Sequence, residues 1–573
     1  MTVLHDQQAR PSWRLCDLLQ SPTDKCCDRS LIIKRLLFAG FDQAAAEQVQ
    51  AMFQKAAQRL LDNVEGIEPE CAVAAYWVPG RIEIAGKHTD YAGGRSLLAA
   101  VNRGFAVVAA QRDDNRVGVH AQFADGRQDQ RELKLTADLA QLRQFQSLPT
   151  NEGGWAAYPA AVVQRLVANF SICTGAHIST ECNLPEASGM SSSSAVICYM
   201  WLVLDKYNGI SKGNPLFTRS IRSSAELYTY LGNIENGKHF KPGDAAQLDG
   251  AGGVGTFGGS EDHTAIMSCS QGAVSLWKFC PTEHLATLTF DPAVSFCIAV
   301  SGAKAEKRGE AMVGYNDASL LAQWAAAAVT LARAASNGVA LEQPLTHEVL
   351  ARIYNRTSLY NPSLPNLAEV VRQERAELGE ADASEVKASI HRRLDSIAGT
   401  FKQHFAVNAE SLGLNLDGLD SERITMDLLR ERFEQFFNES EVMLPEMVAA
   451  LVARDYASFG RLADRSHEAT VLQLQNTVPE TAWLARWARR SFIGGAAMAA
   501  ASAEPGPEAL AASAFGAGFG GSCWALVWSA EAEAFCHAWK VAYEAEFPER
   551  CGGLRRDFFV ATPSPGAFSL LEA

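Results

Sequence analysis

No stretch of this sequence approaches about 18 uninterrupted apolar residues, so no membrane span is expected. Its first residues, MTVLHDQQARPSWRLC, hold no apolar signal-peptide core, so secretion is not expected either. Basic charge is in deficit: 51 Lys and Arg against 65 Asp and Glu give a net charge of −14. Such a field repels polyanions and argues against a nucleic-acid partner, although backbone N–H groups can still bind a small phosphate locally. CxxC pairs and His-rich clusters are missing, and the 13 cysteines are scattered, which excludes a recognisable zinc site or disulfide framework. They read as reduced thiols of a cytoplasmic protein. Internal repeats are also missing, and the one biased passage is the Ala/Gly-rich run at 492–521. What remains is 573 residues, 47% apolar and 20% charged, enough for a soluble globular protein of two or more packed units.

Apolar residues at helical spacing over 31–62 predict one or two amphipathic helices ahead of the main fold. From about Val73 to Asn183 short β-rich runs follow (YWVPGRIEIAG, GFAVVAAQ, AHISTECN), broken by a helical piece near Trp155–Asn169. After Ser191 the spacing of Val196, Ile197, Met200, Trp201, Val203 and Leu204 predicts a buried helix started by serines. Residues 318–500 read as almost continuous helix, followed by a Gly-rich turn and the strand-like CWALVW. The expected units are an N-terminal helical extension (1–70), a first domain (71–290) and a second domain (291–573) with a helical insertion at about 318–440.

Three segments are dense in groups that do chemistry. LPEASGMSSSSAV, at 184–196, leads from a strand into a helix, where unpaired first-turn N–H groups and the helix dipole favour phosphate. Its spacing is not that of a Walker loop, and a simple serine-capped helix explains the residues equally well. WVPGRIEIAGKHTDYAGGRSLLAAVNRG, at 77–104, places His88, Asp90 and Tyr91 within four residues, a donor and acceptor array suited to sugar hydroxyls or to a solvated turn. FGAGFGGSCWALV, at 515–527, crowds glycines before a strand, as a close backbone approach or a structural turn requires.

In this order the three segments resemble the motifs of the GHMP kinase superfamily, and GKHTDYAGG resembles galactokinases. The resemblance implies an α+β fold of two domains, a ribosomal-protein-S5-like N-terminal domain and a ferredoxin-like C-terminal one, with ATP and Mg²⁺ as cofactors and a sugar as substrate. By position, Asp262 and Arg81 would be catalytic, and Lys87, His88, Asp90 and Tyr91 would face the sugar. Gly189, Met190, Ser191, Ser192, Ser193 and Ser194 would hold the ATP phosphates together with Gly518, Gly520 and Gly521. Ser193 or Ser192 and, from SSAELYTYLG, Glu226 would hold the metal. The implied reaction is phosphoryl transfer to the C1 hydroxyl of a galactose-like sugar, with Asp262 either removing or orienting the proton.

The sequence also departs from that family. Lys87 stands where galactokinases carry Glu, which suits either a uronic acid bound through its carboxylate or an ordinary galactose with Lys87 turned to solvent. Glu186, Ala187 and Ser188 replace the family's glycines, His263 replaces Gln, and an inserted loop is expected over about Asn233–Gly258. Tyr315 is a loose counterpart of the family's sugar-contacting tyrosine. A sugar and nucleotide sensor without catalysis, or another branch acting on an N-acetylhexosamine, arabinose or heptose, are the alternatives. Neither oligomeric state nor purine preference follows from the residues.

Overall fold

The computed structural model describes residues 13–19, 29–149, 152–185, 188–243, 245–250, 252–303, 309–346, 349, 366–379, 381–409, 411–412, 414, 424–490, 507–548 and 556–570. Glu186, Ala187 and positions 491–506 of the Ala/Gly-rich passage lie outside them.

Strict alternation in the longest strands builds a sheet buried on both faces. The large sheet holds β1 (Trp13–Arg14), β2 (Ala72–Ala85), β3 (Arg95–Arg112), β4 (Arg116–Gln122), β5 (Gln128–Lys134), β6 (Gly175–Cys182), β7 (Ala273–Lys278) and β8 (Glu283–Thr289). Its main path runs β1-β2-β3-β6-β4-β5, with β7 on the far end of β3 and β8 beside β7. Pairings are antiparallel except β4 with β6. In β2, Val73, Ala75 and Trp77 pack with the helices Arg29–Phe38 and Gln43–Asn63, while Ala74, Tyr76 and Val78 face the main core. In β3, Ala106, Val108 and Ala110 face the first group and Phe105, Val107 and Ala109 the second. This period of two explains why these strands read as nearly continuous apolar runs. The amphipathic N-terminal helices therefore roof one face of the sheet.

Under the other face lie the helices Ala157–Phe170 and Ser192–Asn208, in one core with Ile82 and Ile84. A second, fully antiparallel sheet has the order β10-β11-β9-β12, with β9 at Val294–Val300, β10 at Ala511–Phe515, β11 at Ser522–Trp528 and β12 at Phe558–Ala561. The helices Pro479–Ala488 and Ala532–Glu546 cover one of its faces through Trp487, Phe535 and Trp539. Beyond β12 the chain crosses back: β13 (Pro563–Ser564) pairs with β3, and β14 (Phe568–Ser569) with β2. Two short strands beyond the expected boundary at 290 thus join the first sheet. Backbone pairing of two short strands has no hydrophobic period long enough to be seen in sequence.

Helices Gly309–Ser336, Leu367–Leu378, Ala383–Ser396, Phe401–Asn408 and Met426–Phe437 form a lobe with a core of its own, in which Trp324, Phe405 and Phe433 are buried. Ala92, from the turn after β2, belongs to that same core.

Candidate active site

The site begins at two irregularities in β2. Its register with β3 shifts between Pro79 and Arg81 and again between Glu83 and Ala85. Bulges of this kind bend a strand and re-aim its side chains. Arg81 there points at Asp262, in the first turn of the helix Glu261–Ser268: Nε and Nη2 lie 2.8 and 2.6 Å from Oδ1. Arg81 also donates to the Gly189 carbonyl. The arginine side chain is 4% exposed and the aspartate 19%, so the carboxylate is the member that reaches solvent. Burial opposes the charge on Arg81, but Asp262, Glu261 and Glu83 outweigh it and raise its pKa further.

The phosphate-loop candidate meets this pair. Gly189 (φ 74°) and Ser191 (φ 58°) are left-handed, and Ser191 begins the helix Ser192–Asn208 without a side-chain cap, leaving its first-turn N–H groups to other acceptors. Ser194 is buried and donates to Glu235 Oε2 at 2.8 Å and to Asp262 Oδ2 at 3.4 Å. Ser192 and Ser193 lie half-buried in the same turn, and Met190 is buried. The glycine turn closes over the loop. Gly516, Gly518, Gly520 and Gly521 all have positive φ, and a Cβ on Gly516 would stand 2.8 Å from the Gly189 carbonyl. Ser522 Oγ donates to the Ser188 carbonyl at 2.6 Å.

Glu226 does not join this cluster. It accepts from Arg222 N at 2.6 Å and Nη2 at 3.1 Å, in the first turn of the helix Ser224–Asn236. Glu235 stands in the last turn, about 13 Å along the axis at 1.5 Å per residue. It is 2% exposed, next to Ser194 and 3.1 Å from His263 Nε2. The carboxylate beside the serine-led helix is therefore Glu235 and not Glu226. A glutamate on the apolar face with Tyr230, Leu231 and Ile234 was the signal available in sequence.

The sugar-loop candidate follows β2. His88 sits at φ 56° with Nδ1 2.9 Å from the Tyr91 hydroxyl and Nε2 3.2 Å from the Ala517 carbonyl, and Asn476 Nδ2 lies 3.0 Å from Nε2. Tyr315, whose ring is 5.6 Å from that of His88, also closes on Gly258. Asp90 accepts from the Glu261 amide at 3.2 Å, and only a residue without Cβ fits at Gly259 beside its carboxylate. Burial pushes the Asp90 carboxyl up to about 6, against the pull of the Glu261 and Tyr91 amides, and pushes neighbouring Glu261 well above the carboxylate range. Burial likewise raises Tyr91.

Lys87 does not take the solvent-facing course. At 2% exposure it is not in solvent, and its ammonium turns inward to Glu83, 3.8 Å from Oε1 and 3.4 Å from the carbonyl. Glu83 Oε2 in turn accepts from Gly516 N at 3.1 Å. A buried cation four residues along the chain from a buried carboxylate is held by that partner, since an unpaired charge inside the wall would be costly.

Oxygen donors fit a hard divalent cation here: Glu235 and the serine hydroxyls offer them without a competing thiolate. Among the described residues no group of three or more His, Cys, Asp and Glu could hold a metal, so phosphate and water would have to complete the shell of a bound Mg²⁺.

The galactokinase galactose-binding signature matches residues 66–111, and the N-terminal domain of the GHMP kinases matches residues 157–246. In structure, the chain is similar to the galactokinase of Lactococcus lactis complexed with galactose, with a TM-score of 0.55 and 20% identity over 89% of this chain and 98% of the other. This is the GHMP kinase fold. In sequence, part of the chain is similar to galactokinases. The galactokinase of Lactobacillus helveticus is 31% identical over 158 residues, 26% of this chain and 37% of that protein. That of Streptomyces coelicolor is 33% identical over 140 residues, 24% and 33% of the two chains. The chain thus spans about a third of the length of the curated relatives it matches. On the GHMP kinase fold, Arg81 to Tyr91 fall inside the first signature, and the serine-led helix and Glu235 inside the second. No helix among the described residues is long and apolar enough to cross a membrane.

Proposed function

We propose that this chain is a sugar kinase that transfers the γ-phosphoryl group of Mg·ATP to the C1 hydroxyl of galactose or a galactose-like sugar. The observation that carries this reading is the Arg81–Asp262 pair, 2.6 Å apart where the serine-led helix, the glycine turn and the sugar loop meet. Asp262, the more open member, accepts or orients the proton of the C1 hydroxyl while that oxygen attacks phosphorus and the bond to ADP breaks. Arg81 holds Asp262 in place and offsets negative charge as it develops on the transferred group. First-turn amides of the helix Ser192–Asn208 and the turn Gly518–Gly521 cradle the phosphates, with Ser193, Ser194 and Glu235 as the oxygen donors toward Mg²⁺. When bound, that ion neutralises phosphate oxygens. Asp90, His88 and Tyr315 read the sugar hydroxyls.

A uronic-acid substrate requires a cation facing the sugar, and Lys87 is committed to Glu83. A silent sensor has no need of an arginine-held base beside a phosphate cradle, so catalysis is the preferred reading. Turnover with ATP should be highest on galactose in a panel with galacturonate, N-acetylgalactosamine and arabinose. It should fall by roughly 10²–10⁴-fold in Asp262→Ala. Preference for galacturonate, or an unchanged Asp262→Ala enzyme, refutes this assignment.

A further inference from the structure

Besides Tyr315, which packs against His88, the helical lobe reaches the sugar loop through the helix Met426–Phe437 and the wide turn that continues it. From the helix Met426–Phe437, Arg432 spreads its guanidinium over the loop: Nη2 donates to the His88 carbonyl at 2.6 Å and the Tyr91 hydroxyl at 3.3 Å. Nε donates to the Ala318 carbonyl at 3.0 Å, and Nη1 to Gln435 Oε1. Gln435 passes the contact on, donating to the Lys87 carbonyl at 3.0 Å. In the π-type turn Asn438–Met443, Glu439 and Ser440 are fully buried. Glu439 Oε1 accepts from the amides of Gly86 and Lys87 at 2.8 and 3.2 Å, and Ser440 Oγ from Arg95 at 3.2 Å. A widened turn of this sort is costly in a plain helix and recurs at functional sites.

Two features require such a frame. His88 holds a left-handed backbone at φ 56°, which a side-chain-bearing residue adopts at a cost and keeps only where its surroundings fix it. Arg432, 2% exposed, meets neutral acceptors in each of these contacts, so its fork is matched to their geometry more than to a counter-charge. Ala92 completes the link by packing in the lobe's own core.

We propose that the helical lobe is the frame that sets the sugar loop, and that Arg432 is the positioning residue that holds His88 in its sugar-facing arrangement through the His88 carbonyl and through the Tyr91 hydroxyl that meets His88 Nδ1. The kinetic half of its test rests on the sugar-kinase reading, and the structural half does not. Arg432→Met keeps bulk and removes the fork, and Gln435→Leu removes only the Lys87 carbonyl contact and its share of Arg432. In full-length protein, Arg432→Met should raise the sugar KM by roughly 10–100-fold, the scale of a small misplacement, with the ATP KM within about twofold. Gln435→Leu should shift in the same direction by less. Hydrogen exchange should quicken at the amides of Lys87 to Tyr91 and stay unchanged over Gly189 to Ala195. Equal rises in both KM values, or unaltered exchange at the sugar loop, overturn the proposal. If Arg432→Met does not fold, Gln435→Leu decides it alone. If wild-type protein phosphorylates no sugar, the exchange comparison decides it and the failure belongs to the kinase reading.

Discussion

Asp90 is a sugar-loop residue whose surroundings oppose its charge. Burial and the nearby carboxylates of Asp262 and Glu83 raise its pKa to about 6, while two backbone amides restrain the rise. The sign of the linkage follows. In the folded chain Asp90 binds a proton over a pH range where the unfolded chain, with an ordinary carboxyl near 4, has released it. The stabilisation from that proton is complete below about pH 4 and is lost as the pH rises through about 6. Asp90→Asn should therefore gain on wild type between pH 4.5 and 7.5 by about 1–3 kcal/mol, since a tenfold difference in proton affinity is worth about 1.4 kcal/mol. Urea denaturation at the two pH values measures this, and a constant difference between the proteins would show that Asp90 titrates normally. The Glu83–Lys87 pair illustrates what a single residue's identity hides: Lys87 read alone suggested a charged sugar, and only the fold reveals that its partner is four residues back.

At the scale of elements, the helix Ser224–Asn236 makes the clearest case. Glu226 at its start is an N-terminal glutamate paired with Arg222, a capping arrangement worth tenths of a kcal/mol to about one. Glu235 at its end abuts Ser194. Glu235→Gln should raise the Mg²⁺ concentration needed for half-maximal activity about tenfold or more, whereas Glu226→Gln should leave it within about twofold. Magnesium titration of both variants checks this, and a larger effect from Glu226→Gln would return the ligand role to Glu226. The sequence made elements legible where the local signal was strong: the apolar, β-rich run of β2, and the serine start and apolar spacing of the helix Ser192–Asn208. Arg81 and Asp262 follow from the resemblance to the GHMP kinases, since nothing in the local pattern of the strand and helix that carry them sets them apart. The sequence could not choose between two glutamates on one helix, since that choice depends on which end approaches Ser194, 41 residues away in sequence and on another helix.

At the scale of the whole molecule, the site is assembled from parts that are remote along the chain. Arg81 and Asp262 are 181 residues apart, and Arg432 reaches His88 across 344. Contacts of that span leave no local pattern, which is why the role of the helical lobe and the return of β13 and β14 to the first sheet were not legible. The N-terminal helices roof the large sheet, while the glycine turn beside the second sheet and Arg432 of the lobe both meet His88 just after β2.

The most direct test of the proposed site is ³¹P nuclear magnetic resonance of the product formed from galactose and Mg·ATP by wild type and by Asp262→Asn. The expected result is a single sugar phosphate coupled to the anomeric proton, accumulating at least about 10²-fold more slowly with the variant. Phosphate on any other carbon, or equal accumulation by both proteins, would contradict the assignment of Arg81 and Asp262 as the pair that meets the C1 hydroxyl.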